Sequence, residues 1–329
     1  LLFGGSVRQK EKLELLIKRL PAKKKILSIP PKLLNLLWNT LHVLPLEILT
    51  GPIDLVHTSD WAEPPVKDAL KVTTIHDLAH LKNPQFASGE IRRTHRKKLF
   101  WVKKESDHII TPSHATKKDV VDLLKIKPER ISVIHEATTL TKKQDYSSKE
   151  ENNILKKLAV KKPYILIPGC GHPRKNIERQ IQAFKDADLP KHQLVIFGQP
   201  SEDELKLQSE NVHFTGFVDQ RHIPLLYQNA TLVLYASLYE GFGLPILDAF
   251  VSQSPVVTSN VSSMPEVSGN AAVLVDPEDV SSIKTGIIKA IDNRQDLIQK
   301  GKKRSEQFSW QKTAEKTLEV YQKIINSHQ

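Results

Sequence analysis

Short apolar runs alternate with stretches of helical length along nearly the whole chain, and this alternation most narrows what the chain can become. In the first half the runs are Asp54–His57, Val72–His76, His108–Thr111 and Ile131–Ile134. In the second they are Tyr164–Ile167, Gln193–Phe197, Leu232–Tyr235, Val256–Val257 and Ala272–Val275. Such runs, separated by helical stretches, predict parallel strands covered by helices, an α/β fold. The polar stretch Thr141–Glu150 interrupts the series. Two α/β halves joined by a linker predict a cleft in which a ligand sits. The boundaries predicted are a first domain over 1–140, a linker over 141–155 and a second domain over 156–307.

The 329 residues are enough for two domains of ordinary size, each with a core. Cys170 is the only cysteine, which excludes an internal disulfide and points to a reducing, cytoplasmic setting. No run of about 18 apolar residues exists, so no membrane-spanning helix is predicted. The opening Leu1–Gly5 lacks a basic start and a cleavage pattern, which argues against a signal peptide.

The formal charge is +11, and residues 1–140 hold 24 Lys/Arg against 15 Asp/Glu, whereas the remainder holds 24 against 22. A basic first half can attract an anionic lipid surface or a phosphorylated substrate. Nucleic acid is not indicated, because neither zinc spacing nor an RNA-binding aromatic signature is present. The segment Ile91–Lys104 can form a helix with a broad basic side beside Phe100 and Trp101. That pattern suits either an interfacial helix on the inner face of a membrane or an ordinary solvated face.

The residues from Leu238 to Asp248, reading LYEGFGLPILD, follow an apolar strand. Gly241 and Gly243 let backbone approach a ligand closely, Pro245 suits the first position of a helix, and the N–H groups there would face phosphate. Glu240 is the carboxylate of that turn. Tyr164 to Ile177, reading YILIPGCGHPRKNI, is a second strand, turn and helix start near Asn176, with Arg174 and Lys175 as a basic pair able to neutralise a diphosphate. Taken alone, that pair reads equally well as a solvated turn. His76 and Asp77 end the strand Val72–His76 on the side where open α/β sheets bind ligands, and Asp77 is expected to orient a loop or cap a helix.

These segments together resemble retaining nucleotide-sugar glycosyltransferases of the two-Rossmann, GT-B architecture, in the large family 4 (group 1) that includes many bacterial mannosyltransferases. The resemblance spans about residues 1 to 325. The family's motif is a Glu, seven residues and a second Glu; here the acids are Glu240 and Asp248, the second one methylene shorter. The resemblance implies that Glu240 meets the donor sugar's hydroxyls and that Asp248 binds the nucleotide ribose. It implies further that Arg174 and Lys175 hold the diphosphate as it leaves, and that His76 approaches the reaction centre. Gly169, Gly241, Phe242, Gly243 and Leu244 would surround the donor. The turn Phe214–Val218 would meet the nucleotide base through Gly216, Val218 or Phe217, although a Phe here is equally well core.

Several further expectations follow. The final segment 308–329, with Ser309 as N-cap, is predicted to be a helix; in the family it crosses back to complete the first domain. The linker and the return before Trp310 would be hinges for closure. Leu1–Ser6 resembles the family's second strand rather than its first, which suggests that one βα unit precedes it. Ser113 is explained by capping of a helix near 116–124. At 134–137 the family usually has a Pro-Asn-Gly turn; here His135 and Glu136 are expected to satisfy each other near the hinge. No Ser-His-Asp arrangement is legible. Cys170 lies on the phosphate side, so its alkylation is expected to block donor binding. No Asp-x-Asp motif ends a strand, and the reaction implied needs no metal and no cofactor. It moves a hexose, foremost mannose from GDP-mannose as co-substrate, to a glycan or lipid-linked acceptor in cell-envelope polysaccharide synthesis. The alternatives are a UDP-sugar-dependent transferase of the same fold and a nucleotide-sugar-binding protein with impaired catalysis.

Overall fold

A computed structural model describes residues 2–5, 24–27, 29–59, 61–140 and 146–328. Their strands form three parallel sheets. β1 (Leu2–Gly5) pairs with β2 (Lys24–Leu27). β3 (Leu55–Ser59), β4 (Leu70–Thr74), β5 (His108–Thr111) and β6 (Ile131–Val133) lie side by side in chain order. The third sheet contains β7 (Tyr164–Pro168), β8 (Gln193–Phe197), β9 (Val212–Gly216), β10 (Leu232–Tyr235), β11 (Val256–Ser259) and β12 (Val273–Val275), in the order β12-β11-β10-β7-β8-β9. The α/β pattern expected from the apolar runs is therefore present, with β9 starting at Val212 and ending inside the stretch Phe214–Val218 expected to be a turn.

The central strands of the third sheet are apolar on both faces because helices cover both. In β7, Tyr164 and Leu166 enter one buried cluster while Ile165 and Ile167 enter another. In β10, Val233 and Tyr235 join the first cluster and Leu232 and Leu234 the second. This is the two-residue alternation of a strand buried on both sides. The order places a switch point between β7 and β10: the chain runs outward through β8 and β9, then returns to the other side of β7 to lay down β10 to β12. Loops leaving the carboxyl ends of β7 and β10 diverge, and a crevice opens between them.

The principal helices are α1 (Gly89–Glu105), α2 (His114–Leu124), α3 (Ser148–Lys157), α4 (Ile177–Asp186), α5 (Leu244–Val251), α6 (Met264–Ser268), α7 (Val280–Asp292), α8 (Arg294–Ser305) and α9 (Trp310–Ser327). Of the stretch expected to be a linker, residues 141–145 lie outside those described, and the chain is already helical from Ser148. The cause is a capping box: Ser147 accepts from the Glu150 N–H while the Glu150 side chain accepts from the Ser147 N–H.

Ser309 caps α9 as the spacing predicts, accepting from the Lys312 N–H. Val320 and Ile324, one helical turn apart, pack on Val72, Ile110 and Ile134. The end of the chain thus covers the first four-stranded sheet, each buried side chain contributing about 1.5–3 kcal/mol. No described helix is long and apolar enough to cross a membrane.

Candidate functional site

The two loops at the switch point carry the charged residues expected there. After β7, His172 accepts from the Arg174 N–H across a single 3₁₀ turn, Pro173–Lys175. Asn176 then starts α4, and its amide donates to the carbonyls of Ala236 (3.0 Å) and Pro277 (2.7 Å). This ties the basic pair to the end of β10 and fixes where it points. The Leu238 N–H also donates to the Arg174 carbonyl, at 2.8 Å.

Glu240 is buried, with 7% of its surface exposed, and both residues of the basic pair reach it. Lys175 Nζ donates to its Oε1 at 2.8 Å and Arg174 Nη1 to its Oε2. Lys175 also donates to the Tyr235 hydroxyl at 3.0 Å and stands 4.7 Å from the centre of that ring. Burial works to raise the Glu240 carboxyl, but Lys175 and Arg174 outweigh it and hold the group below the ordinary carboxylate range. Burial pulls the Lys175 ammonium below its usual value, with Glu240 opposing. Gly169 lies beside this pair: a Cβ there would stand 3.6 Å from Lys175 Cε.

Gly241 serves a purpose other than the one expected from sequence. A Cβ on it would stand 2.0 Å from the His76 carbonyl oxygen and 2.8 Å from Asp77 Cβ. The missing side chain admits the other half of the molecule at this point. The Gly241 carbonyl accepts from Ser113 Oγ at 2.6 Å and Thr116 Oγ1 at 3.1 Å. Ser113 does cap α2, as expected, and in addition joins the halves. Gly243 has φ +107 and ends the turn before α5, a conformation that glycine adopts without strain. Pro245 is the second residue of that helix rather than the first, and α5 has no side-chain cap at its N-terminus.

His76 thereby lies at the same junction as Glu240, on the edge of a cavity of about 220 Å³ that Asp77, His80, Lys98, His172 and Arg174 also line. Asp77 Oδ1 accepts from the Ala79 N–H at 2.9 Å, which orients the turn; the cap position of the short helix that follows is Leu78, so Asp77 is not its cap. His76 Nδ1 lies 2.8 Å from Glu136 Oε1, and its Nε2 lies 3.0 Å from Ser59 Oγ.

The expected pair of His135 and Glu136 does not form. His135 Nε2 instead lies 2.8 Å from Glu266 of the other half. That carboxylate also accepts from the N–H groups of His114 (2.8 Å) and Ala115 (3.4 Å) at the start of α2. Burial would raise the Glu266 carboxyl, yet His135 and these backbone donors hold it below the ordinary range.

The remaining expected donor residues are more scattered. Asp248 is largely buried and accepts from Thr138 Oγ1, across from the first half. Burial pushes its carboxyl up to about 6, with the Thr138 hydroxyl opposing. Phe242 turns its ring into the core against His135 and Phe308, and Leu244 is half-buried against the same core. Val218 is buried as well, whereas Phe217 is 84% exposed beside Gly216 at the end of β9. Cys170 is half-buried, and burial pushes its thiol up to about 12, so reactivity toward alkylating agents is not supported. On α1, Arg93, Arg96, Lys103 and Lys104 are exposed with Phe100, while Lys98 is buried and Trp101 stacks on His42 at 3.5 Å.

The functional contacts missed in the sequence are those of Ser59, Glu136, Thr138 and Glu266. Each is made between segments far apart in the chain, and a signal existed only for Glu136, an acid at a turn where an Asn is usual.

Two family models match the chain: "Glycosyl transferases group 1" over residues 148–304 and "Glycosyltransferase Family 4" over residues 4–141. O-antigen chain mannosyltransferase B of Escherichia coli is 31% identical over 268 residues, covering 76% of this chain and 69% of that protein. The serotype-specific mannosyltransferase WbdA of Escherichia coli is 28% identical over 280 residues, covering 78% of this chain but only 34% of the relative. Among solved structures, sucrose-phosphate synthase from Thermosynechococcus elongatus superimposes with a TM-score of 0.70 at 20% identity, covering 94% of this chain and 83% of that one.

Proposed function

Because this chain belongs to the group 1 glycosyltransferases, built on the GT-B architecture, we propose that it transfers mannose from GDP-mannose to a glycan or lipid-linked glycan acceptor of the cell envelope, with retention at the anomeric carbon. The observation that carries the reading is the cluster of buried Glu240 with half-buried Arg174 and Lys175 at the switch point, next to His76. The choice of mannose draws on the relatives' printed activities.

In this reading the donor's diphosphate draws Arg174 and Lys175 toward itself, and the uncapped N-terminus of α5 adds its dipole. Glu240, relieved of part of its pairing, accepts hydrogen bonds from the sugar's hydroxyls. His76 faces the same sugar from the first half, and Asp248 takes the ribose. The bond from C1 to the β-phosphate oxygen breaks while the acceptor hydroxyl attacks from the same face. Its proton passes to the departing phosphate, and GDP leaves. Arg174 and Lys175 offset the charge of the leaving group, so the reading needs no metal. Closure of the halves excludes water from the step.

The reading places the protein in the cytoplasm, at the inner face of a membrane that holds its acceptor. The exposed cations and Phe100 of α1 support contact with anionic lipid. A second reading, a nucleotide-sugar-binding protein with impaired turnover, draws on Asp248, which is largely buried and already bonded to Thr138. Incubation with GDP-mannose, UDP-glucose and other nucleotide sugars, with and without glycan acceptors, separates the two. Acceptor-dependent release of GDP is expected. Tight binding with no release from any donor by the full-length protein would favour the second reading.

A further inference from the structure

His76 is held from two directions by groups that fix both its place and its hydrogen bonding. Its backbone is clamped: a Cβ at position 241 would overlap the His76 carbonyl, and Thr116 Oγ1, shared with the Gly241 carbonyl, lies 3.4 Å from that same oxygen. Its ring is held by Glu136 Oε1, 2.8 Å from Nδ1. A carboxylate can only accept a hydrogen bond, so Nδ1 carries the proton. In the neutral ring Nε2 then presents its lone pair, and Ser59 Oγ stands 3.0 Å away as a donor. The three residues gather at the carboxyl ends of parallel strands of one sheet, ordered β3-β4-β5-β6: Ser59 closes β3, His76 lies two residues past β4 and Glu136 three residues past β6.

We infer that Glu136 is a positioning residue for His76, fixing the imidazole with Nε2 as a hydrogen-bond acceptor for a substrate hydroxyl, which takes the direction along which Ser59 donates. This rests on the transferase reading of His76. Glutamine at position 136 can still accept from Nδ1 through its amide oxygen, whereas alanine cannot. The two variants therefore separate geometry from charge. No nucleophile or covalent intermediate is implied, since the imidazole only receives a hydrogen bond.

The test combines two measurements on the full-length protein. Nitrogen-15 NMR of the His76 ring, assigned with His76→Gln, reads the tautomer in wild type, E136Q and E136A. Steady-state kinetics with the donor found active reads kcat and the donor KM. The expected result is the Nδ1–H tautomer in wild type and E136Q and its loss in E136A. With it, kcat should fall on the order of tenfold in E136A, the scale of one lost hydrogen bond. The donor KM should stay nearly constant, and most of kcat should be restored in E136Q. An unchanged ring spectrum in E136A, or wild-type kcat in that variant, overturns the inference. If wild type transfers no sugar at all, the transferase reading fails, while the ring spectra still decide whether Glu136 positions His76.

Discussion

Gly241 and His76 meet backbone to backbone: the site a Cβ would occupy on Gly241 lies 2.0 Å from the His76 carbonyl oxygen. The junction beside Glu240 is thus a place where the two halves leave no room for a side chain. Gly241→Ala must push them apart, because neither neighbouring atom belongs to a flexible side chain. A loss of about 1–3 kcal/mol is expected, the usual cost of overpacking, together with a larger loss of turnover. Gly51→Ala is the control. It has open space around it but φ +81, so it should cost only about 1–2 kcal/mol through backbone strain and leave the cleft as it is. Urea denaturation and donor turnover of both variants check this; equal turnover in the two would contradict it.

Glu240 is the buried counter-charge for two half-buried cations, so removing it should be costly before any substrate is present. Glu240→Ala is expected to destabilise the free protein by about 3–5 kcal/mol, the range for stripping one partner from a buried ion pair. Lys175→Ala leaves Arg174 on Glu240 and should be milder in stability. Both variants should lose acceptor-dependent nucleotide release. Retained activity in both would show that the donor site is misplaced.

Asp248 gives a pH dependence with a definite sign. Its folded carboxyl is raised from 3.8 to about 6 by burial, so between those values the folded state binds more protons than the unfolded one. Stability from this group is therefore present at low pH and lost as pH rises through that window. The full penalty above pH 6 is roughly 3 kcal/mol. Asp248→Asn, which keeps an oxygen for the Thr138 hydroxyl, should be more stable than wild type at pH 8 and about equal at pH 4. Thermal melts across that range would show it, and a constant difference between the two proteins would count against it.

Cys170 should be inert. With its thiol pushed up to about 12 by burial, only about one molecule in 10⁴ carries the thiolate at pH 8. Iodoacetamide should leave the native protein unlabelled and modify it fully in urea. Rapid labelling of the folded protein, read by mass spectrometry, would show that the thiol is not held as described.

The strands most legible in the sequence are the continuously apolar ones. Residues 108–111, 193–197 and 232–235 are strands over the bounds that the apolar runs predict. β9, reading VHFTG, carries no such run, and the turn expected over Phe214–Val218 overlaps its end. The grouping of Glu240, Arg174, Lys175 and His76 was legible because each ends or follows a strand at the ligand-binding edge. The partners of His135 and Glu136 were not. Neighbouring residues in extended chain point to opposite sides, so the two diverge, one to Glu266 and the other to His76. Likewise, the sequence shows that position 241 is small but not that the reason is another backbone.

The packing of Val320 and Ile324 on Val72, Ile110 and Ile134 bears on the order of events during synthesis. The six-stranded sheet and its helices have emerged from the ribosome before α9 does, and can bury their own apolar faces as they appear. The four-stranded sheet is translated earlier, yet the face around Val72, Ile110 and Ile134 stays bare until α9 arrives. Throughout that interval those strands are the surface on which a chaperone would act.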